Sequence, residues 1–256
     1  SLTNFLIAKP DELHQNLDKT VSVVIAARNE KGNIDELLKR MPVLGKGTEV
    51  IFVEGHSTDG TYEKILESIE KFKNFDCKVF KQNGVGKGDA IRLGFEKSKG
   101  EILMILDADV TVDPEELKRF YDIIAHGKGE FVNGVRLVYP YEDQAMRFLN
   151  LVGNKFFAIG FTWLLDQPIK DTLCGTKVLL AEDYKKISKN RNYFGDFDPF
   201  GDFDLLFGAA KLNLKIVELP IRYKARKYGS TNISRWQHGS LLLRMLIFAA
   251  RRIKFY

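Results

Sequence analysis

Two aspartates, Asp107 and Asp109, leave the apolar run Leu103-Met104-Ile105-Leu106 with one alanine between them. Carboxylates so spaced at the end of a buried strand can share a hard divalent cation. Mg2+ takes one or two of them and fills its shell with phosphate oxygens and water. Asp-x-Asp on its own also suits a turn. A turn explains Asp113 as the cap of a following helix, but not two acids emerging from an apolar strand. Nearby, Gly86-Lys87-Gly88 combines residues that let backbone approach a phosphate with a compact positive charge. It is not a Walker loop, which needs Gly-x-x-x-x-Gly-Lys-Ser/Thr. It is not a dinucleotide fingerprint either, because the third glycine is missing. Alone it reads equally well as a turn leading into a helix, and the paired acids tip it towards phosphate. Glu54 ends a third apolar run, where an acid can accept from a ribose or a base. Ser57-Thr58-Asp59-Gly60-Thr61 reads as a turn and helix cap, and His56 as a hydrogen-bonding residue.

The elements that must position these groups alternate. Val21–Ala27, Glu49–Glu54, Cys77–Lys81 and Glu101–Asp107 are short apolar runs that read as strands. Between and after them come helical patterns: Ile34 to Met41, Thr58–Phe72, Asp89–Ser98 and Asp113–Ala125, the last with Pro114 in its first turn. Such alternation predicts an α/β fold, a mainly parallel central sheet with helices on both faces. Ligands of such sheets bind beyond the carboxyl ends of the strands, and the motifs above fall there. Further on, Phe131–Tyr139, Thr176–Leu180 and Lys215–Tyr223 read as strands, with Pro220 marking an edge or a bulge. Asp143–Leu165, Asp204–Leu212 and Ser234–Phe255 read as helices. No Pro/Gly/Ser-rich linker separates the halves. The expected organisation is an N-terminal extension (1–20), one continuous domain (21–233) and a basic amphipathic C-terminal helix (234–256).

The chain has 256 residues, 45% of them apolar, which excludes an intrinsically disordered protein. Its two cysteines, Cys77 and Cys174, exclude a disulfide framework and stand at no zinc spacing. Neither a signal-peptide pattern nor a run of 18 apolar residues occurs, so the expectation is a cytoplasmic protein with no span of its own. The net charge of +5 is unevenly spread. Leu219 to Tyr256 carries nine Lys or Arg and no acid, leaving 30 basic against 34 acidic residues before it. A basic tail on an acidic body argues against nucleic acid as the partner.

The motifs together resemble a known family. Val24-Ile25-Ala26-Ala27-Arg28-Asn29-Glu30, Val53-Glu54-Gly55-His56-Ser57-Thr58-Asp59-Gly60-Thr61, Gly86-Lys87-Gly88 and Asp107-Ala108-Asp109 are similar to the family 2 inverting nucleotide-sugar glycosyltransferases of GT-A fold. Asn133-Gly134-Val135-Arg136, Asp171 to Lys177 and Arg226-Lys227-Tyr228-Gly229-Ser230-Thr231 point to the dolichyl/polyprenyl-phosphate sugar synthase branch. The resemblance runs from about Val21 to Ser234. It implies that Ala26, Arg28, Glu30, Glu54 and Lys87 contact the donor nucleotide, and that Asp107 and Asp109 hold Mg2+ or Mn2+ at its diphosphate. The sequence departs from the pattern at Ala26, where Pro is usual, and at Arg28, where Tyr is usual. Glu54-Gly55-His56 stands in place of Asp-Asp-Gly.

The expected reaction is transfer of a sugar from a nucleotide-sugar donor to a polyprenyl phosphate. The alternative acceptor is a sugar hydroxyl on a growing glycan, which needs a carboxylate base. Asp202 and Asp204 align with the family's late acid pair and are the candidates, although Asp202 also suits a helix cap. Arg136, Arg226, Tyr228 and Ser230 are candidate acceptor ligands, with Arg147 and Arg222 as further cations suited to phosphate. A nucleotidyltransferase, or a non-catalytic nucleotide-sugar-binding module, is the rival from another class. Trp163 and the Phe156–Phe161 cluster read as core or membrane-facing packing. The C-terminal helix is expected to lie peripherally on the inner face of a membrane. Its alternative is ordinary packing, including at a homodimer interface.

Overall fold

The structure, a computed structural model, describes residues 18–136, 148–191, 201, 203–226, 228–229 and 243–251. Seven strands make one sheet: β1 (Val21–Ala27), β2 (Thr48–Glu54), β3 (Asp76–Lys81), β4 (Ile102–Ile105), β5 (Phe131–Val135), β6 (Lys177–Leu180) and β7 (Ile216–Pro220). Their order is β3-β2-β1-β4-β6-β5-β7. β1 pairs in parallel with β2 and β4, β2 with β3, and β5 with β7. β6 alone runs antiparallel to both of its neighbours, β4 and β5. The sheet is therefore mainly parallel, as its apolar runs imply.

Helices α1 (Ile34–Arg40), α2 (Thr61–Lys71), α3 (Lys87–Lys97), α4 (Leu117–Ala125), α5 (Phe148–Leu165), α6 (Ala181–Lys189) and α7 (Phe203–Lys211) cover it. Residues 243–251 form a further helical segment. The period-two pleat sorts each strand between two cores. Val21, Val23, Ile25 and Ala27 join Leu37 of α1, Ile65 of α2 and Phe120 of α4 on one face. Val24, Ile51 and Ile105 join Ile91 of α3, Phe161 of α5, Ile187 of α6 and Leu206 of α7 on the other.

Several boundaries shift from expectation for local reasons. α2 starts at Thr61, because Gly60 at φ 83° holds the chain out of the helix before it. α3 starts at Lys87, straight after Gly86 at φ 95°. β4 ends at Ile105, which places Asp107 and Asp109 in the loop beyond it. The expected helix from Asp113 is a short 3-10 turn, Pro114–Glu116, leading into α4. β7 lies at the sheet edge and ends on Pro220, where its missing N–H costs nothing. α6 was not expected. It follows β6 without a loop, and within it only Tyr184 and Ile187 are buried apolar side chains, too few to mark a period. Parts of the expected Phe131–Tyr139, Asp143–Leu165 and Ser234–Phe255 elements lie outside the described residues.

Candidate active site

The chain runs from β1 outward to β2 and β3, then returns on the other side of β1 as β4. The switch point between β1 and β4 is where an open α/β sheet forms its crevice. The loops after β1, β2 and β4 each hold a non-glycine residue in the left-handed region: Asn29 at φ 57°, His56 at φ 60° and Val110 at φ 55°. For a β-branched residue such as Val110 this costs about 1–3 kcal/mol, and it follows directly on Asp109.

The first two loops are laced together. Asn29 N donates to Ser57 Oγ at 3.0 Å, and Thr58 N to Asn29 Oδ1 at 2.9 Å. Glu30 N donates to Thr61 Oγ1 at 2.9 Å, and Lys31 N to Asp59 Oδ2 at 3.2 Å. Ser57 to Thr61 thus hold the loop after β1 in place. Glu54 turns one oxygen back to accept from Ser57 N. His56 Nε2 lies 3.0 Å from Gly84 O. Ala26 is half-buried among the residues of one core, and Arg28 is exposed.

Cations bridge the acids of the crevice. Lys87, in the first turn of α3, is ion-paired with Asp107. Burial opposes ionisation of Asp107, but Lys87, with Lys177 and Arg136, outweighs it and lowers the acid's pKa. Asp109 accepts from Thr111 N and Oγ1 through one oxygen and from Arg226 Nη2 at 2.7 Å through the other. Arg226 Nη1 reaches Glu30 Oε1 at 2.8 Å, while Asn33 Nδ2 donates to Glu30 Oε2 at 2.7 Å. Burial pushes the Glu30 carboxyl up to about 7, with Asp109 adding to the rise and Arg226 and Asn33 opposing it.

Asp107 and Asp109 supply hard oxygens, the donor chemistry that suits Mg2+ or Mn2+. Among the described residues no third His, Cys, Asp or Glu joins them in a cluster. A metal held there would take two carboxylates from the protein and fill its shell with phosphate oxygens and water. Gly175 leaves room for them. A Cβ there would come within 2.2 Å of Asp107 Oδ2 and 2.3 Å of Lys87 Nζ.

The candidates at the late positions are placed differently from one another. Arg136 forms a two-pronged pair with Asp171, Nε to Oδ2 at 2.7 Å and Nη2 to Oδ1 at 2.8 Å, and lies over the Tyr223 ring at 5.3 Å. Tyr228 rests its ring against Gly32, and its hydroxyl donates to Asp59 Oδ2 at 3.2 Å. That places it over the loop after β1. Asp204 sits in the first turn of α7 and accepts from Arg191 Nε at 2.8 Å. It lines a tight recess with Gly88 and Tyr184. Asp202, Ser230 and Arg147 lie outside the described residues.

Three participants escaped the sequence reading. Lys177, fully buried, donates to Cys174 O and lends its charge to Asp107. Arg191 neutralises Asp204, and Tyr223 backs Arg136. Lys177 lies inside the Asp171–Lys177 motif and could have been weighed there. Arg191 stands in no motif.

Comparison with known proteins identifies a family and a fold. The family described as Glycosyl transferase family 2 matches residues 22–187. The dolichol-phosphate mannosyltransferase of Pyrococcus furiosus is 30% identical over 218 residues, 83% of this chain and 59% of that protein. The undecaprenyl-phosphate 4-deoxy-4-formamido-L-arabinose transferase of Pseudomonas aeruginosa is 34% identical over 111 residues, 42% of this chain and 33% of that protein. The matched stretches thus span only about a third to three fifths of these curated relatives. Glucosyl-3-phosphoglycerate synthase of Mycobacterium tuberculosis, solved with Mn2+, UDP and glucosyl-3-phosphoglycerate, superposes with a TM-score of 0.67 at 17% identity, over 98% of this chain and 86% of that one. That likeness speaks to the fold. With its switch-point crevice and paired acids, the chain has the GT-A fold and belongs to glycosyl transferase family 2.

Proposed function

We propose that the protein transfers a sugar from a nucleoside diphosphate donor to a polyprenyl phosphate, with inversion and with the help of a divalent metal. The observation that carries this reading is the pair Asp107 and Asp109 at the switch point, flanked by Lys87 and Arg226. An acceptor phosphate oxygen forms the new bond to the anomeric carbon from the face opposite the diphosphate. The bond to the diphosphate oxygen breaks, and its electron pair stays on that oxygen. Asp107 and Asp109 would hold Mg2+ or Mn2+, which when bound neutralises charge growing on the leaving diphosphate. Lys87, in the first turn of α3, adds its own charge beside the helix N-terminus. On the nucleoside side, Ala26 lines the wall, Glu30 and Glu54 offer acceptor oxygens, and exposed Arg28 offers its guanidinium plane to the base.

A phosphate acceptor is already ionised and needs cations rather than a base. The Arg191 pairing of Asp204 supports that choice, since a carboxylate held by a guanidinium is a weakened base. Arg226, Tyr228 and Ser230 are the proposed acceptor ligands, with Arg136 shaping the same wall through Asp171. The test supplies nucleotide sugars, Mg2+ or Mn2+ and a polyprenyl phosphate, and identifies the released product. Free nucleoside diphosphate with a glycosylated lipid phosphate is expected, and Asp109→Asn should abolish it along with metal-dependent donor binding. Pyrophosphate released from a nucleoside triphosphate would identify a nucleotidyltransferase. Donor binding with no turnover on any acceptor would leave a binding module.

A further inference from the structure

We propose that the base of the donor nucleotide is guanine, read by Gln82 together with Glu54; the inference rests on the nucleotide-sugar reading of this crevice and names the nucleotide. Gln82 follows β3 directly, and its backbone N donates to the carbonyl of Glu54, the last residue of β2, at 3.0 Å. The two side chains therefore stand at neighbouring strand ends. Gln82 is buried, and one hydrogen bond sets its amide. Nε2 lies 2.9 Å from Gly84 O. A carbonyl only accepts, so the nitrogen faces Gly84 and Oε1 faces away. There it meets Gly55, where a Cβ would come within 3.2 Å of Gln82 Oε1 and 3.5 Å of Arg28 Cβ. A side chain at position 55 would close the gap between Arg28 and Gln82, and glycine leaves it open.

Glu54 supplies the second acceptor. Its Oε1 takes Ser57 N, which leaves Oε2. Neither Glu54 Oε2 nor Gln82 Oε1 has a hydrogen-bond partner among the described residues, and neither is sealed from solvent. Nearby donors are already used: Gly55 N on Ala27 O, and His56 Nε2 on the same Gly84 O at 3.0 Å. The wall thus offers oxygen acceptors to whatever lies over Gly55, while exposed Arg28 offers a guanidinium plane for stacking. Base edges answer such a wall differently. Guanine carries two adjacent donors, N1–H and the N2 amino group. Uracil carries one, N3–H, between two carbonyl oxygens that would face the acceptors. Adenine and cytosine each set one amino group beside an accepting ring nitrogen. Guanine alone satisfies both oxygens, and an acceptor left facing an acceptor costs binding, so the wall rejects as well as attracts. Arg28 can reach a carbonyl of guanine or of uracil and does not discriminate.

The test measures binding of GDP, IDP, UDP and ADP by calorimetry, with Mg2+ and without acceptor. GDP should bind tightest. IDP, which lacks only the N2 amino group, should bind about tenfold more weakly, and UDP and ADP more weakly still. Gln82→Leu should weaken GDP about tenfold and leave UDP unchanged. Should that variant disturb the fold, the contrast between GDP and IDP on the unaltered protein still decides. UDP or ADP binding as tightly as GDP overturns the guanine assignment and leaves sugar transfer standing. Equal weakening of GDP and UDP by Gln82→Leu overturns it too, by removing the acceptor from the base. No binding of any nucleoside diphosphate overturns both this inference and the reading beneath it.

Discussion

Two arginines near the crevice each hold acidic partners, and the arrangements differ. Arg136 meets one carboxylate, Asp171, two-pronged, on an acid with no exposure at all. Asp171 also receives Arg136 N and Leu173 N, and its carbonyl receives Asn133 Nδ2. Burial works against the charge of Arg136, and Asp171 more than offsets it, so the guanidinium titrates above its ordinary range. Arg226 instead divides its fork between Glu30 and Asp109, two acids from different loops. The Arg136 pair fastens β5 to the loop before β6. The Arg226 bridge spans two loops of the crevice and involves a proposed metal ligand. Both are salt bridges, but on the proposed function the first is wall and the second belongs to the site.

The sharpest way to break that distinction is a reciprocal pair of substitutions. Asp171→Ala leaves Arg136 charged and unpartnered in the interior, and losing one member of a buried pair costs about 3–5 kcal/mol. Thermal unfolding should show a large drop, whatever ligand is present. Asp109→Asn keeps Arg226 on Glu30 and retains an acceptor for Thr111, so its melting temperature should stay near wild type. Its turnover should nevertheless fall by about 10²–10³-fold or more, as expected when a group stabilising transition-state charge is removed. If Asp109→Asn were the unstable variant and Asp171→Ala the inactive but stable one, the assignment of wall and site would be reversed.

A smaller effect tests the third pair, Arg191 with Asp204. With a phosphate acceptor, Asp204→Asn should keep substantial activity. A base for a hydroxyl acceptor would cost about 10²–10⁴ in rate when removed. A loss of that size, together with rescue at raised pH by a stronger nucleophile, would move the acceptor to a glycan hydroxyl.

What was legible beforehand follows the range of the interactions. β1 to β4 announce themselves because each is an apolar run ended by polar loop residues, and because α1 to α4 keep a helical period between them. The Ser57–Thr61 turn was legible for the same reason: Asp59 bonds Thr61 N only two residues on, at 3.0 Å. The ion pairs were not. Arg136 and Asp171 lie 35 residues apart and Arg226 and Glu30 lie 196 apart, so no local spacing joins them. The reversed direction of β6 leaves no mark either, since a four-residue buried strand reads alike in both directions. For α5 composition left core and membrane-facing packing both open, and only the fold separates its sides: Phe157, Phe161, Leu164 and Leu165 are buried in the core, while Phe156, Ile159 and Trp163 are more than half exposed.

The subtlest test of the comparison concerns the acid end of the Arg226 bridge. Glu30 titrates near 7 in the folded protein against an ordinary value of 4.5, chiefly because it is buried. A raised carboxyl pKa means the folded state holds the proton over a range where the unfolded chain has released it. Between about pH 4.5 and 7 the unfolded state therefore binds fewer protons, and this group makes stability fall as pH rises. Above 7 the carboxylate is charged in both states and its contribution levels off. Glu30→Gln removes the titration and keeps an acceptor for Asn33. Its melting temperature should decline less than wild type between pH 5 and pH 7, and the two curves should run parallel above pH 8. Asp171→Asn should show no such window, because Arg136 stays charged across this range. Parallel curves for Glu30→Gln and wild type from pH 5 upward would mean that Arg226 holds Glu30 charged throughout, and the bridge would then be as fixed as the wall.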